Sequence, residues 1–137
     1  HQKEKLESLR HGLLHSIGDD APTVDEQARF FRFVDELTPT HMLILRHLDD
    51  PVASFTRDGR QPTEYMAGAR SAVLEDAFPD LFRDQRDWYE LLVADLVAAH
   101  LVSSGLGGVV TGRGMYDPLT TLLGRRFLAF VTGSGRE

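Results

Sequence analysis

The stretch 88–131 constrains the fold of this chain more than any other. It opens with a run, 88–102, whose apolar side chains are too dense for a helix lying free in water. A glycine-punctuated piece comes next, and a second apolar run, Leu122, Leu123, Phe127, Leu128, Phe130 and Val131, closes it. The pattern predicts a long helix over 83–101 and a β-hairpin built from Val109-Val110-Thr111 and Met115-Tyr116, with its tip at 111–114. A final helix capped by Thr121 would end the chain.

Upstream, residues 2–17 read as an amphipathic helix. Leu6, Leu9, Leu13 and Ile17 line one side, and Lys3, Glu4, Lys5, Glu7 and Arg10 take the other; Gly18 and Pro22 stop it. Thr23-Val24-Asp25-Glu26 is a capping box that opens a helix to about residue 36. Its Phe30, Phe31 and Phe33 are too many for a solvent face, so it either packs on the domain C-terminal to it or forms half of a dimer seam. Thr38 and Pro39 start the next helix, to about residue 48. Its consecutive Met42, Leu43, Ile44 and Leu45 place it at the centre of the fold. Residues 52–62 read as loop, with Asp58-Gly59 a turn. Thr63 then caps an expected helix over 64–77, and Pro79 turns the chain before the long helix.

A chain of 137 residues, 42% of them hydrophobic, suits one buried core. The expected division is an N-terminal helical segment for packing or dimerisation (1–36), a main domain (37–132) and a flexible tail (133–137). The chain has no cysteine, which excludes disulfides and thiolate metal sites. No apolar run reaches the ~20 residues needed to span a bilayer, and no charged-then-apolar leader opens the sequence. The expectation is a cytoplasmic protein without membrane contact, and a chain beginning at His1 in mid-pattern reads as a piece of a longer one. Arginine outnumbers lysine, as in GC-rich bacterial genomes.

Two stretches, LTPTHMLILRHLDDP (37–51) and LTTLLGRRFL (119–128) after a long helix ending at Leu101-Val102, resemble bacterial winged helix-turn-helix domains. The same layout is similar to the C-terminal part of a group of uncharacterised bacterial proteins with helical N-terminal segments. The resemblance implies a mainly α fold: two N-terminal helices, then a winged helix-turn-helix domain with a small β-hairpin wing. In that family the helix at 83–101 would be the recognition helix and 109–116 the wing.

The residues argue against DNA recognition by that helix. Between 75 and 95 stand Glu75, Asp76, Asp80, Asp84, Asp87, Glu90 and Asp95 against Arg83 and Arg86, a balance of 2 − 7 = −5. Phosphates are met by Lys and Arg, and base edges by Arg, Asn and Gln. The net charge of −6 points the same way. On a helical wheel Trp88, Leu92, Asp95, Ala99 and Val102 form the expected core face, leaving Glu90, Val93, Ala94 and Val97 outside. Such an apolar and acidic surface suits protein more than nucleic acid. The C-terminal part leans the other way, with Arg113, Arg125, Arg126 and Arg136 against Asp117 and Glu137, and Arg113 at the wing tip would suit a minor groove.

The function expected is therefore a non-enzymatic module for protein–protein interaction or regulatory assembly, a homo-oligomer or the receiver of a protein partner. Phe30, Phe31, Phe33, Val93, Val97, Phe127 and Phe130 are its candidate interface. A DNA-binding transcriptional regulator is the alternative, with Arg83, Arg86 and Arg113 as the candidate contacts. Asp95 on the core face either accepts backbone hydrogen bonds, pairs with Arg125 or Arg126, or acts as a catalytic or ligand-binding acid. His11 and His15 share a helix face without a third ligand, His41 suits a helix start, and His100 suits the end of the long helix. The 107–114 glycine run lacks the Lys-Ser/Thr of a phosphate loop, and no Gly-x-Ser-x-Gly elbow occurs. No catalytic, cofactor or metal residues are expected.

Overall fold

The computed structural model describes residues 22–133; the expected helix over 2–17, with His11 and His15, lies outside them. The described chain is mainly helical, with one small antiparallel sheet. Its elements are α1 (Val24–Glu36), α2 (Pro39–Asp49), α3 (Ala53–Thr56), β1 (Ala67–Ala69), α4 (Arg70–Ala77), α5 (Pro79–Phe82), α6 (Arg86–Ala98), β2 (Val109–Thr111), a 3-10 turn (Gly114–Tyr116) and α7 (Leu122–Thr132).

The helix starts expected at Thr23 and Thr38 are both capped, whereas Thr63 caps none. Thr23 Oγ1 accepts from the Glu26 N–H while the Glu26 carboxylate accepts from the Thr23 N–H. Glu26 also takes a forked pair of bonds from Arg126, at 3.0 and 2.7 Å, which ties the start of α1 to α7. The Arg126 guanidinium, more than anything else, holds the Glu26 carboxyl below its ordinary range. At α2, Thr38 Oγ1 accepts from the His41 N–H, and His41 Nδ1 plays the part usually given to glutamate by accepting from the Thr38 N–H.

The core forms where the apolar faces meet. Phe30 and Phe33 of α1 close on Phe127 and Phe130 of α7, with ring centroids 5.1 to 5.4 Å apart. Ile44, Leu45 and Leu48 of α2 fill the middle, between α6 and α7. A smaller cluster joins Phe55 of α3, Val73 and Ala77 of α4 and Met115 of the 3-10 turn. Arg60 closes the C-terminal end of α4 by donating to the carbonyls of Asp76 and Ala77.

Several expectations are corrected. No hairpin spans 109–116: β2 pairs with β1 far upstream, in the register Ala67↔Thr111, Gly68↔Val110, Ala69↔Val109, and Met115-Tyr116 turn into the 3-10 segment instead. The physical reason is burial, since Met115 inserts beside Phe55 and Val73, which a hairpin strand would forbid. Gly112 sits where the chains cross, and a Cβ there would lie 1.9 Å from the Tyr65 carbonyl oxygen. The helix expected over 64–77 starts only at Arg70, because Ala67–Ala69 is recruited into the sheet. The loop 52–62 contains one helical turn, α3, that buries Phe55, and the turn expected at Pro79 leads into the short helix α5. The glycine-rich segment is pinned at its ends instead, by the antiparallel bridge Val102↔Thr120 and by the Leu119 N–H bonded to the Leu48 carbonyl.

The long helix is shorter and turned relative to the expectation. It runs Arg86–Ala98 and buries Tyr89, Leu92, Val93 and Leu96, an i, i+3, i+4, i+7 set. Trp88 and Asp95, assigned to the core from the wheel, are exposed, and Val93, assigned outside, is buried. Tyr89 wins the inward place because its hydroxyl donates to the Glu75 carboxylate while its ring packs against Phe82. The helix ends in a Schellman turn: the Leu101 N–H bonds to the Leu96 carbonyl and the His100 N–H to that of Val97. His100 takes the left-handed position, φ 63°, where glycine is usual, so its role there is set by the backbone.

Candidate functional site

The site candidates of the sequence divide sharply by burial. Phe30, Phe33, Phe127 and Phe130, expected at an interface, are enclosed by one another within the chain, and Val93 is buried as well. Only Phe31 and Val97 keep partial exposure, and Phe31 packs its edge on Phe130. For the phenylalanines of α1, which the sequence left either packed on the following domain or in a dimer seam, the contact found is intrachain, with α7. Nor is α6 wrapped all round: one side is core, and the other is open.

That open side carries a groove. Val93, Ala94, Val97 and Ala98 of α6 face Gly105, Leu106 and Gly107 across an open groove of about 440 Å³, with Glu90 its single charged lining residue. Leu106 is buried at its base, fixed by the loop that bends back so that its carbonyl accepts from the Ser71 N–H at the start of α4. Gly105 and Gly107 make the far rim bare backbone; a Cβ there would meet nothing within 4 Å. Beyond the groove the exposed arc of α6 continues through Leu91, 54% exposed, to Trp88, 47% exposed, with Asp87 and Asp95 between. Leu91 and Trp88 are thus half-exposed apolar side chains on the helix that walls the groove, interleaved with exposed carboxylates.

The candidate DNA contacts are not gathered. Arg83 is held by Asp76 at 3.0 Å, and Arg86 opens α6 beside Asp87. Arg113 is exposed on the turn after β2, with no ion-pair partner among the described residues. The rest of α6 offers acids to a phosphate backbone.

Asp95 pairs with neither Arg125 nor Arg126. Its Oδ2 lies 2.8 Å from His41 Nε2, and the Thr38 hydroxyl lies 2.9 Å from His41 Nδ1. The three side chains have the connectivity of a nucleophile, base and acid, yet the Thr38 N–H already donates to Nδ1. That leaves Nε2 as the donor to Asp95, and the whole arrangement is a capping box that also fastens α2 to α6. The capping half of the His41 role has a local signal in the sequence; its bond to a residue 54 positions away has none.

His47 is the other histidine with a structural duty. It is buried, its Nδ1 2.7 Å from Ser54 Oγ and its ring edge-on to Phe78. Burial pushes the imidazole down to about 4 from an ordinary value of 6.5. The unfolded chain therefore takes up a proton that the folded one refuses between these two values, and stability falls as pH drops through that window. The expected slope is up to ~1.4 kcal/mol per pH unit. Urea midpoints measured from pH 7 to 4.5 should fall in the wild type and fall less steeply in His47→Gln; parallel curves would assign the slope elsewhere.

Among the described residues no three His, Asp or Glu side chains converge on a metal position, and no helix is long and apolar enough to cross a membrane. Leu91, Trp88 and Leu106 are site residues that the sequence pattern does not single out. A wheel centred on Tyr89 and Leu96, the pair that carries the i, i+7 spacing, turns Leu91 and Trp88 outward. Comparison with protein-family models, with curated proteins and with solved structures finds no match for this chain.

Proposed function

We propose that this chain is a protein-interaction module of winged-helix-like build, which receives a polypeptide segment in the groove between α6 and the segment 105–107. The observation that carries the reading is the groove itself: apolar walls on the long helix, a rim of bare glycine backbone, and exposed Leu91 and Trp88 extending the surface. Helix-in-groove and strand-along-groove recognition both use such a floor with a polar edge. The winged-helix likeness rests on the element order α2, β1, α4, α6 and β2, with the Val102↔Thr120 bridge closing the segment in which a wing would stand. Its departure is that β2 pairs with β1.

The DNA-binding regulator is the competing reading, and exposed Arg113 is the observation that favours it. Acids on α6 weigh against it, because each unneutralised carboxylate near a phosphate costs binding. A selection from a random peptide display library separates the two. Wild-type protein should enrich apolar sequences that Ala94→Arg, a change at an exposed helical position lining the groove, does not enrich. Equal enrichment by both proteins, or salt-dependent retention of random duplex DNA lost on Arg113→Ala, would contradict the proposal.

A further inference from the structure

The apolar interior of the described chain has two parts. The larger fills the space among α1, α2, α6 and α7, and the smaller gathers Phe55, Val73, Ala77 and Met115. His47 stands on the seam between them. It belongs to α2, whose Ile44, Leu45 and Leu48 lie in the larger part, and its Nδ1 is 2.7 Å from the hydroxyl of Ser54, the neighbour of Phe55. Its ring also meets Phe78 edge-on, and Phe78 packs against both parts. The segment 51–59 is moored at its two ends. Asp50 accepts from the Ala53 N–H at one, and Arg60 donates to the carbonyls of Asp76 and Ala77 at the other. In between, Ser54 ties it to α2 and Phe55 plugs the smaller part. Its α3 is four residues long, too short a helix to hold itself. We infer that this segment is an acid-released latch: the neutral His47–Ser54 contact keeps it on α2, and protonation of His47 frees it while the larger part stays closed.

What the His47 ring lacks is a counter-charge. His41, also buried, has Asp95 Oδ2 at 2.8 Å, whereas among the described residues no carboxylate bonds to either nitrogen of His47. The acids on the elements packed round it are turned elsewhere. Asp49 accepts from the Thr120 hydroxyl, Asp50 from Ala53, Glu75 from Tyr89, and Asp76 from Tyr65 and Arg83. Arg46, Arg57, Asp58 and Asp80 are exposed. An imidazolium in that place is a buried charge without a partner. Burial holds the ring at about 4 in the closed chain, against an ordinary 6.5. Lifting the segment hydrates the ring, so the open form takes up a proton from pH 6.5 downward that the closed form accepts only near 4. Each pH unit between these values multiplies the open population about tenfold. Unfolding of the whole chain gains from the same proton, but it starts from a higher cost because it must also expose the larger part.

The chain has no cysteine, so single thiols can be placed as reporters. Val73→Cys puts one in the smaller part and Val102→Cys one in the larger, at positions 1% and 2% exposed. Labelling of the full chain with dithiodipyridine, divided by the rate for free cysteine at the same pH, reads how often each site opens. At Val73→Cys this ratio should rise about tenfold per unit from pH 6.5 to 4.5. At Val102→Cys it should lie at least tenfold lower throughout. Adding His47→Gln to Val73→Cys should flatten the rise. Adding Ser54→Ala instead, which removes the bond and keeps the histidine, should raise the ratio at pH 7 severalfold and preserve the slope. A ratio at Val73→Cys that does not change with pH, or that rises equally with His47→Gln in place, overturns the inference. Equal ratios at the two sites overturn it as well, since they assign the opening to the whole chain at once.

Discussion

Phe127→Ala is expected to lower the unfolding free energy by about 3–5 kcal/mol, the range for removing a fully enclosed aromatic ring. Phe127 has no exposed surface, and its ring touches Phe30 at 5.4 Å and Phe33 at 5.3 Å, so truncation leaves a void bounded on two sides by rings of α1. Those rings cannot collapse inward without pulling α1 from the Glu26–Arg126 fork that fixes its start. Against a total stability of about 5–15 kcal/mol, such a loss brings the fold near its limit. Urea unfolding followed by far-UV circular dichroism measures it. The drop should not depend on protein concentration, because the aromatic cluster is internal to the chain. Phe31→Ala, at a half-buried ring, should cost less than half as much. A loss below about 1 kcal/mol, or one that vanishes at high concentration, would return these phenylalanines to a seam between chains.

Gly124→Ala is expected to destabilise by about 3 kcal/mol or more, at the top of the overpacking range. The sign is the informative part, since in an ordinary helix interior the same change gains about 1 kcal/mol. Here a Cβ would stand 2.2 Å from the Leu101 carbonyl oxygen and 3.1 Å from its carbon, both backbone atoms with no rotamer to yield. That carbonyl accepts the Thr121 N–H at 3.0 Å, and the next residue forms the Val102↔Thr120 bridge. Making room for one methyl therefore lifts the start of α7 from the end of α6 and opens the closure of the glycine-rich segment. Thermal unfolding by calorimetry checks it. A melting temperature at or above the wild-type value would mean that the two segments separate at little cost.

Gly124 also shows where sequence reading succeeds and where it stops. The glycine in LTTLLGRRFL is legible as part of the run that carries the winged-helix likeness. Its reason, a helix pressed on a carbonyl 23 positions earlier, exists only in three dimensions. Local signals are legible: the Thr23–Glu26 box, Thr38 with Pro39, and Thr121 as the cap of α7 are backbone chemistry within four residues. The expected hairpin fails because strand pairing is not local. Val109–Thr111 has the residues of a strand, and only the position of Ala67–Ala69 decides its partner. The candidate site is half legible. The apolar and acidic composition of α6 is plain in the sequence, but a wheel set by Trp88, the largest apolar side chain, is misaligned, because Tyr89 has the better inward place with its hydroxyl satisfied by Glu75. Rotation by one residue takes Asp95 out of the core, exposes Leu91, and opens the groove that the segment 105–107 completes.

Backbone amide chemical shifts, recorded as a peptide enriched by the wild-type protein is titrated into the ¹⁵N-labelled chain, test the central claim most directly. The largest shifts are expected at Glu90, Ala94, Val97, Ala98, Gly105, Leu106 and Gly107, with Arg113 and the β1–β2 sheet still. Shifts centred on Arg113 and the sheet, or spread evenly over the acidic surface, would contradict it.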